Sequence, residues 1–180
     1  RLITAANSNA LKSGTIFSST RFGNVLGSNG SVIPIFHKQI ANGGPVTLTH
    51  RSMSRFIMTI AESVRLVIDS ALLARGGEVF ITKMPVININ DLAEVMIDEL
   101  APRYGYAATD INIDEIGMKP GEKLYEELMS DEETGRAVEL DKYFVVMPAF
   151  KGIYRDIDYH YDNLVSDTVN DPYISKKLTP

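Results

Sequence analysis

A chain of 180 residues, 44% of them hydrophobic, has enough apolar side chains for one compact domain with a core, or for one and a half domains of a larger enzyme. A formal net charge of −5, with no run or stripe of basic residues, speaks against a nucleic-acid-binding surface. Cysteine is absent, which removes disulfide frameworks and thiolate metal sites, and no apolar run approaches the roughly 18 residues of a membrane-spanning helix.

The chain opens at Arg1-Leu2-Ile3-Thr4, without the basic-then-apolar layout of a signal peptide. Residues 1–12 read as the end of a helix, with Leu2, Ile3, Ala6, Ala10 and Leu11 roughly on one face. Thr15 to Phe22 is β-rich and bounded by Gly14 and Gly23, so it reads as a strand. Gly23 to Gly30 is a loop with three glycines. Ser31 can cap the helix that follows, where Val32, Phe36 and Ile40 sit four apart and Asn42-Gly43-Gly44-Pro45 ends it.

Val46–Thr49 and Arg55–Met58 read as short strands. Behind them a strong helix is expected, with Ile60, Val64, Val67, Ile68, Ala71 and Leu72 as its inward apolar stripe and Gly76-Gly77 as its stop. Glu78–Thr82 is a buried-type strand. A helix begins at Asn90 or Asp91 with Leu92, Val95, Met96 and Leu100 inward, and Asp110–Ile116 is a strand. Pro120-Gly121 turns into a short helix with Leu124/Leu128 and Tyr125/Met129 as i, i+4 pairs. After a strand at Tyr143–Met147, residues 148–180 form a Tyr- and Asp-rich polar tail with little core expected. Alternating strands and helices make the class α/β or α+β. The chain opens inside a helix with no strand before it, which suggests that the start of the domain lies outside this sequence.

Three segments could carry chemistry. Arg21-Phe22-Gly23-Asn24-Val25-Leu26-Gly27-Ser28-Asn29-Gly30-Ser31 is a strand, a glycine-rich loop and a helix start, the layout of an anion site. It matches neither the P-loop nor G-x-G-x-x-G, and spacing alone leaves a tight structural turn open as well. In Met53-Ser54-Arg55-Phe56, Arg55 could point a fixed cationic fork at a phosphate or could be a surface arginine on an edge strand. In Gly117-Met118-Lys119-Pro120-Gly121-Glu122-Lys123, Lys119 could meet a phosphate and Glu122 could accept from ribose hydroxyls. The alternative is a well-capped helix start. His37, His50 and His160 are scattered and suggest no metal ligand set. Tyr173 and Lys177 fit Y-x-x-x-K, the catalytic pair of short-chain dehydrogenases, but in a polar tail, where the match reads as chance.

The ordered set is specific. Arg21–Ser28, Gly30-Ser31-Val32-Ile33-Pro34, Met53–Phe56, Gly77-Glu78-Val79-Phe80 and Lys119–Glu126, together, resemble the polysaccharide-biosynthesis branch of the extended short-chain dehydrogenases/reductases. Within that branch the likeness is to the inverting UDP-N-acetylglucosamine 4,6-dehydratases and related UDP-sugar epimerases, and it covers about residues 1–147. The resemblance implies the C-terminal part of an NAD(P)-binding Rossmann-like domain, interleaved over residues 1–147 with a small UDP-sugar-binding subdomain. It also implies a cytoplasmic, homo-oligomeric full enzyme that holds NADP or NAD on an N-terminal sheet and oxidises C4 of the sugar. A dehydratase then eliminates water across C5–C6; an epimerase returns the hydride to C4.

The same resemblance places Asn24 beside the substrate and diphosphate, and the loop from Val25 to Val32, including Ser31, around the nucleotide. It places Arg55 and Lys119 at the diphosphate and Glu122 at the uridine ribose. The family usually has Arg where Lys119 stands, and a basic residue is common where Asn29 stands. The glycine fingerprint and the genuine Y-x-x-x-K pair would precede Arg1, so this chain by itself is expected neither to bind the dinucleotide in full nor to catalyse. Two other readings stay open: a stand-alone UDP-sugar-binding module, and an assembly remnant whose apolar sheet edge pairs with a partner chain.

Overall fold

A computed structural model describes residues 6–7, 14–28, 30–149 and 157–178. In chain order these form β1 (Ser19–Arg21), β2 (Asn24–Val25), α1 (Val32–Ala41), β3 (Val46–Leu48), β4 (Ser54–Met58) and α2 (Ile60–Leu73). Next come β5 (Val79–Thr82), β6 (Val86–Asn88), α3 (Ile89–Leu100) and two 3₁₀ turns, Ala101–Tyr104 and Ala108–Asp110. The chain continues with β7 (Ile113–Glu115), β8 (Glu127–Met129), α4 (Asp131–Thr134), β9 (Ala137–Leu140) and β10 (Tyr143–Val146). It closes with β11 (Leu164–Ser166), β12 (Tyr173–Ile174) and a 3₁₀ turn, Ser175–Leu178. Most of the helix expected over residues 1–12 lies outside the described residues. The chain divides into two compact units, residues 1–22, 60–84 and 127–174 in one, and residues 23–59, 85–126 and 175–180 in the other.

The first unit is built on a five-stranded sheet in the order β1-β5-β10-β9-β11. β1 runs parallel to β5, pairing Ser19 with Val79 and Arg21 with Ile81, and the other pairings are antiparallel. Its core joins Leu66, Phe80, Leu140, Tyr143, Val145, Met147 and Tyr161. Glu78 is fully buried at the turn before β5, where its carboxylate accepts from the backbone N–H groups of Arg75 and Gly76. A buried carboxylate needs such donors, because desolvating an unpartnered charge is prohibitive. Arg21 donates from Nη1 and Nη2 to the two oxygens of Glu133, at 2.8 and 3.0 Å. Burial pushes the Glu133 carboxyl up, but the bonds from Arg21 and from the Ser130 N–H outweigh it and leave the group below its ordinary value.

Two expectations for this unit are corrected. The apolar stripe of α2 does not face inward: Ile60, Val64, Val67, Ile68 and Leu72 are each at least half exposed, and Leu66 and Ser70 are the buried positions. Periodicity finds an apolar face but not its partner, and α2 has two such faces. The narrower one, with a small serine that permits close approach, packs in the sheet's core. The tail also carries core. Tyr161 is buried, the Tyr159 hydroxyl donates to the Gly76 carbonyl at 2.6 Å, and β11 pairs with β9. Non-local pairing supplies order that a tail without periodicity does not advertise.

The second unit holds a three-stranded sheet, β2-β4-β6, and a pair, β3-β7. α1 and α3 close over a core of Phe36, Ile40, Val46, Leu48, Met53, Ile89, Ala93 and Ile97. Phe36 and Ile40 are buried as the spacing requires. α3 starts at Ile89 because Asn88 caps it, accepting from the N–H of Asn90 at 2.7 Å. This start turns Ile89, Ala93 and Ile97 inward and leaves the expected inward residue Val95 59% exposed. The short helix expected after Pro120-Gly121 does not form. Its backbone is spent elsewhere: Leu124 O accepts from Ser54 N, Glu126 N donates to Ser175 Oγ, and Leu128 and Met129 lie in β8.

Candidate functional site

The second unit contains a cavity of about 390 Å³. Asn24, Val25, Ser31, Val32, Arg55, Lys119 and Glu122, the residues singled out from the motifs, all line it. Asn29, the eighth position of interest, lies outside the described residues.

The floor of this site depends on a close approach of two strands. β2 pairs with β4 in parallel, Asn24 opposite Ile57 and Val25 opposite Met58. Gly23 permits this, since a Cβ there would lie 2.5 Å from Phe56 Cβ and 2.7 Å from the Phe56 carbonyl oxygen. Leu26 N then donates to Met58 O at 2.8 Å, and the chain turns through Gly27 and Gly30, both at positive φ. Ser31 takes the N-cap position of α1 without making a side-chain cap. Its hydroxyl oxygen is buried at the cavity wall with no partner among the described residues. An orphan polar atom in a cavity is costly unless a ligand satisfies it.

The polar side chains are held in different ways. Asn24 Nδ2 donates to Phe56 O at 3.3 Å and to Glu126 Oε1 at 2.9 Å. Arg55 does not extend freely. Nη1 donates to Ser54 O at 2.7 Å and Leu124 O at 3.3 Å, and Nη2 donates to Lys123 O at 2.8 Å. Arg55 thus clamps the segment that carries Lys119 and Glu122, while part of its fork stays unspent. Glu122 accepts from the Lys119 N–H at 2.9 Å, which leaves its second oxygen uncommitted by that turn. Both side chains are exposed. Apolar residues such as Phe36, Leu48, Met53 and Ile89 complete the wall. The combination is two cations, a helix N-terminus, one carboxylate and an apolar wall. It suits a ligand with a planar apolar part and a diphosphate.

Sequence reasoning missed the support behind these residues. Glu126 stands in a motif that was recognised, but nothing in its spacing reveals that it reaches back to β2 and β4. Ser175 had no signal at all, lying in the tail, yet its buried hydroxyl sits 3.1 Å from Ser54 Oγ. Tyr173 is committed to structure: its hydroxyl accepts from Met84 N at 2.6 Å and donates to Met84 O at 3.0 Å, from a two-residue strand. No group of His, Asp or Glu among the described residues could hold a metal ion, and no helix among them is long and apolar enough to cross a membrane.

Comparison with known proteins is consistent across sequence and structure. The family model described as polysaccharide biosynthesis protein matches residues 1–148. An uncharacterized membrane protein of Methanocaldococcus jannaschii is 56% identical over 148 residues, covering 82% of this chain and 44% of that protein. The inverting UDP-N-acetylglucosamine 4,6-dehydratase of Campylobacter jejuni is 33% identical over 165 residues, covering 91% of this chain and 46% of that enzyme. The X-ray structure of Pen from Bacillus thuringiensis is 44% identical and superposes with a TM-score of 0.84, covering 99% of this chain and 50% of Pen. The chain thus spans half or less of the length of these relatives. Five ordered motifs, a mixed α/β fold and matches of this extent agree: the chain belongs to the polysaccharide biosynthesis protein family.

Proposed function

We propose that this chain supplies the UDP-sugar-binding part of an NAD(P)-dependent enzyme that modifies UDP-N-acetylglucosamine for surface polysaccharide, as a 4,6-dehydratase. The observation that carries the reading is that seven residues from segments almost a hundred positions apart line one cavity. Lys119 and the unspent part of the Arg55 fork neutralise the diphosphate, with the N-terminus of α1 beside them. Glu122 accepts from ribose hydroxyls through its uncommitted oxygen. Val25 and Val32 cover the base, and the orphan Ser31 hydroxyl finds its partner on the ligand. Asn24 holds the substrate beside the diphosphate.

A nicotinamide dinucleotide would supply the hydride chemistry of the full enzyme. The sequence has no G-x-G-x-x-G turn, and its one Y-x-x-x-K match has its tyrosine hydroxyl bonded to Met84. The role proposed for this chain is binding and orientation of the UDP-sugar.

Calorimetric titration of the chain with UDP and with UDP-N-acetylglucosamine tests the reading. Lys119→Ala is the appropriate control: the residue is exposed, so its loss leaves the fold alone, whereas Arg55→Ala would also unclamp the loop. A charge-assisted bond is worth about 1.5–3 kcal/mol, so Lys119→Ala is expected to weaken binding about tenfold or more. A folded chain that binds neither nucleotide refutes the proposal.

A further inference from the structure

Glu126 does not line the cavity, yet it is bonded to the residues that do. Its carboxylate is shared among three groups: Oε1 accepts from Asn24 Nδ2 at 2.9 Å, Oε2 accepts from Phe56 N at 3.2 Å, and Arg55 Nε lies 3.9 Å from Oε1. Its backbone is fixed as well, because Glu126 N donates to Ser175 Oγ at 2.8 Å and that serine is fully buried. A carboxylate offers only acceptors, and all three groups facing it are N–H donors. Asn24 is thereby committed in both rotamer and sense. Its Nδ2 is spent on Glu126 and on Phe56 O, so its carbonyl oxygen is the polar atom left for the cavity.

On the nucleotide-binding reading given above, we infer that Glu126 is a positioning residue for the UDP-sugar site. Its carboxylate sets the orientation of the Asn24 amide and restrains the Arg55 guanidinium, so affinity for the nucleotide depends on a side chain that does not touch it. Three elements meet at this one group: β2 through Asn24, β4 through Phe56 and Arg55, and the Lys119–Glu126 segment through the residue itself. Movement of the carboxylate therefore shifts several polar walls of the cavity together.

The chemistry selects the test. Glu126→Gln has the same shape but presents an NH₂ group to one of these donors, so either the Phe56 N–H loses its acceptor or the Asn24 amide must turn over or lose its bond. Affinity for UDP is measured by calorimetry for the 180-residue chain, Glu126→Gln, Asn24→Ala and the double variant, with circular dichroism and melting temperature for each. Glu126→Gln is expected to fold and to bind UDP about tenfold more weakly. In the Asn24→Ala background the same change is expected to cost less than about threefold, because residues that act through one another are not additive. A merely structural role would lower the melting temperature but leave the two losses in affinity additive. If Glu126→Gln does not fold, Glu126→Asp replaces it; it keeps the charge, reaches only one of the two donors, and is expected to lose affinity similarly. Wild-type affinity in the Glu126 variants, or additive losses, overturns the inference while the UDP-binding proposal stands. A folded wild-type chain that does not bind UDP overturns both.

Discussion

Replacing Gly23 with alanine should damage the site from beneath without touching any group that meets the ligand. The added Cβ would stand 2.5 Å from Phe56 Cβ, 2.7 Å from Phe56 O and 3.0 Å from Phe56 C. Ordinary carbon contacts begin near 3.5 Å, so β2 and β4 must part by about 1 Å. The obstructing atoms belong to backbone or sit directly on it, and no rotamer change relieves them. Overpacking of this kind costs about 1–3 kcal/mol, which lowers the melting temperature by about 2–12 °C in a chain of this size. The same separation removes the 3.3 Å bond from Asn24 Nδ2 to Phe56 O and shifts Asn24 against Glu126, so UDP affinity should fall about tenfold or more. Gly105→Ala is the matched control. Gly105 has φ +83° and open space around its missing Cβ, so alanine there costs about 1–2 kcal/mol through backbone strain alone. Thermal melts and UDP titrations of both variants decide the matter. A Gly23→Ala chain with native melting temperature and native affinity refutes the close-approach argument. Equal loss of affinity in Gly105→Ala shows that destabilisation, not geometry, weakens binding.

Three further outcomes follow from the first unit. On α2, Leu66→Ala should cost about 2–5 kcal/mol in chemical denaturation, while Val64→Lys and Ile68→Lys should stay within about 0.5 kcal/mol; the opposite ranking would restore the inward stripe. Burial, followed by the bond to Asp69, raises the Tyr143 hydroxyl to about 12. A raised folded value means stability that is present below the unfolded value near 10 and lost as pH climbs towards about 12, so Tyr143→Phe should flatten that alkaline limb. Glu133 is shifted down, so its contribution is present above the ordinary glutamate value of about 4.3 and lost as pH falls below it. Glu133→Gln should therefore lower stability at neutral pH and make the acid limb shallower; an unchanged acid limb would mean that the Arg21 pair contributes nothing.

How much of this was legible in the sequence differs from residue to residue. α1 was readable because Phe36 and Ile40 repeat at the helical period and face a single core, and β5 because the apolar run Val79-Phe80-Ile81, just after Gly76-Gly77, reads as a buried-type strand. The site residues were not readable from any one segment, where a structural turn, an edge-strand arginine or a capped helix start fitted as well; they followed from the ordered set of motifs and its family resemblance. The inward face of α2 was not readable, since an apolar stripe specifies that a helix has a face but not which surface meets it. The segment after Pro120 carried helical spacing at Leu124/Leu128, yet long-range hydrogen bonds from Ser54 and Ser175 outcompeted the local i→i−4 bonds.

Sequence alone determined the family, the α/β class and seven of the residues that line the cavity, because motif order is a property of the linear chain. Only the tertiary structure decided that Arg55 spends most of its fork on carbonyls, that Glu126 and Ser175 support the site from behind, and that residues of the tail contribute to the core. Those outcomes depend on partners dozens of positions away, and a hydrogen bond or a packed face exists only when folding has brought both members together.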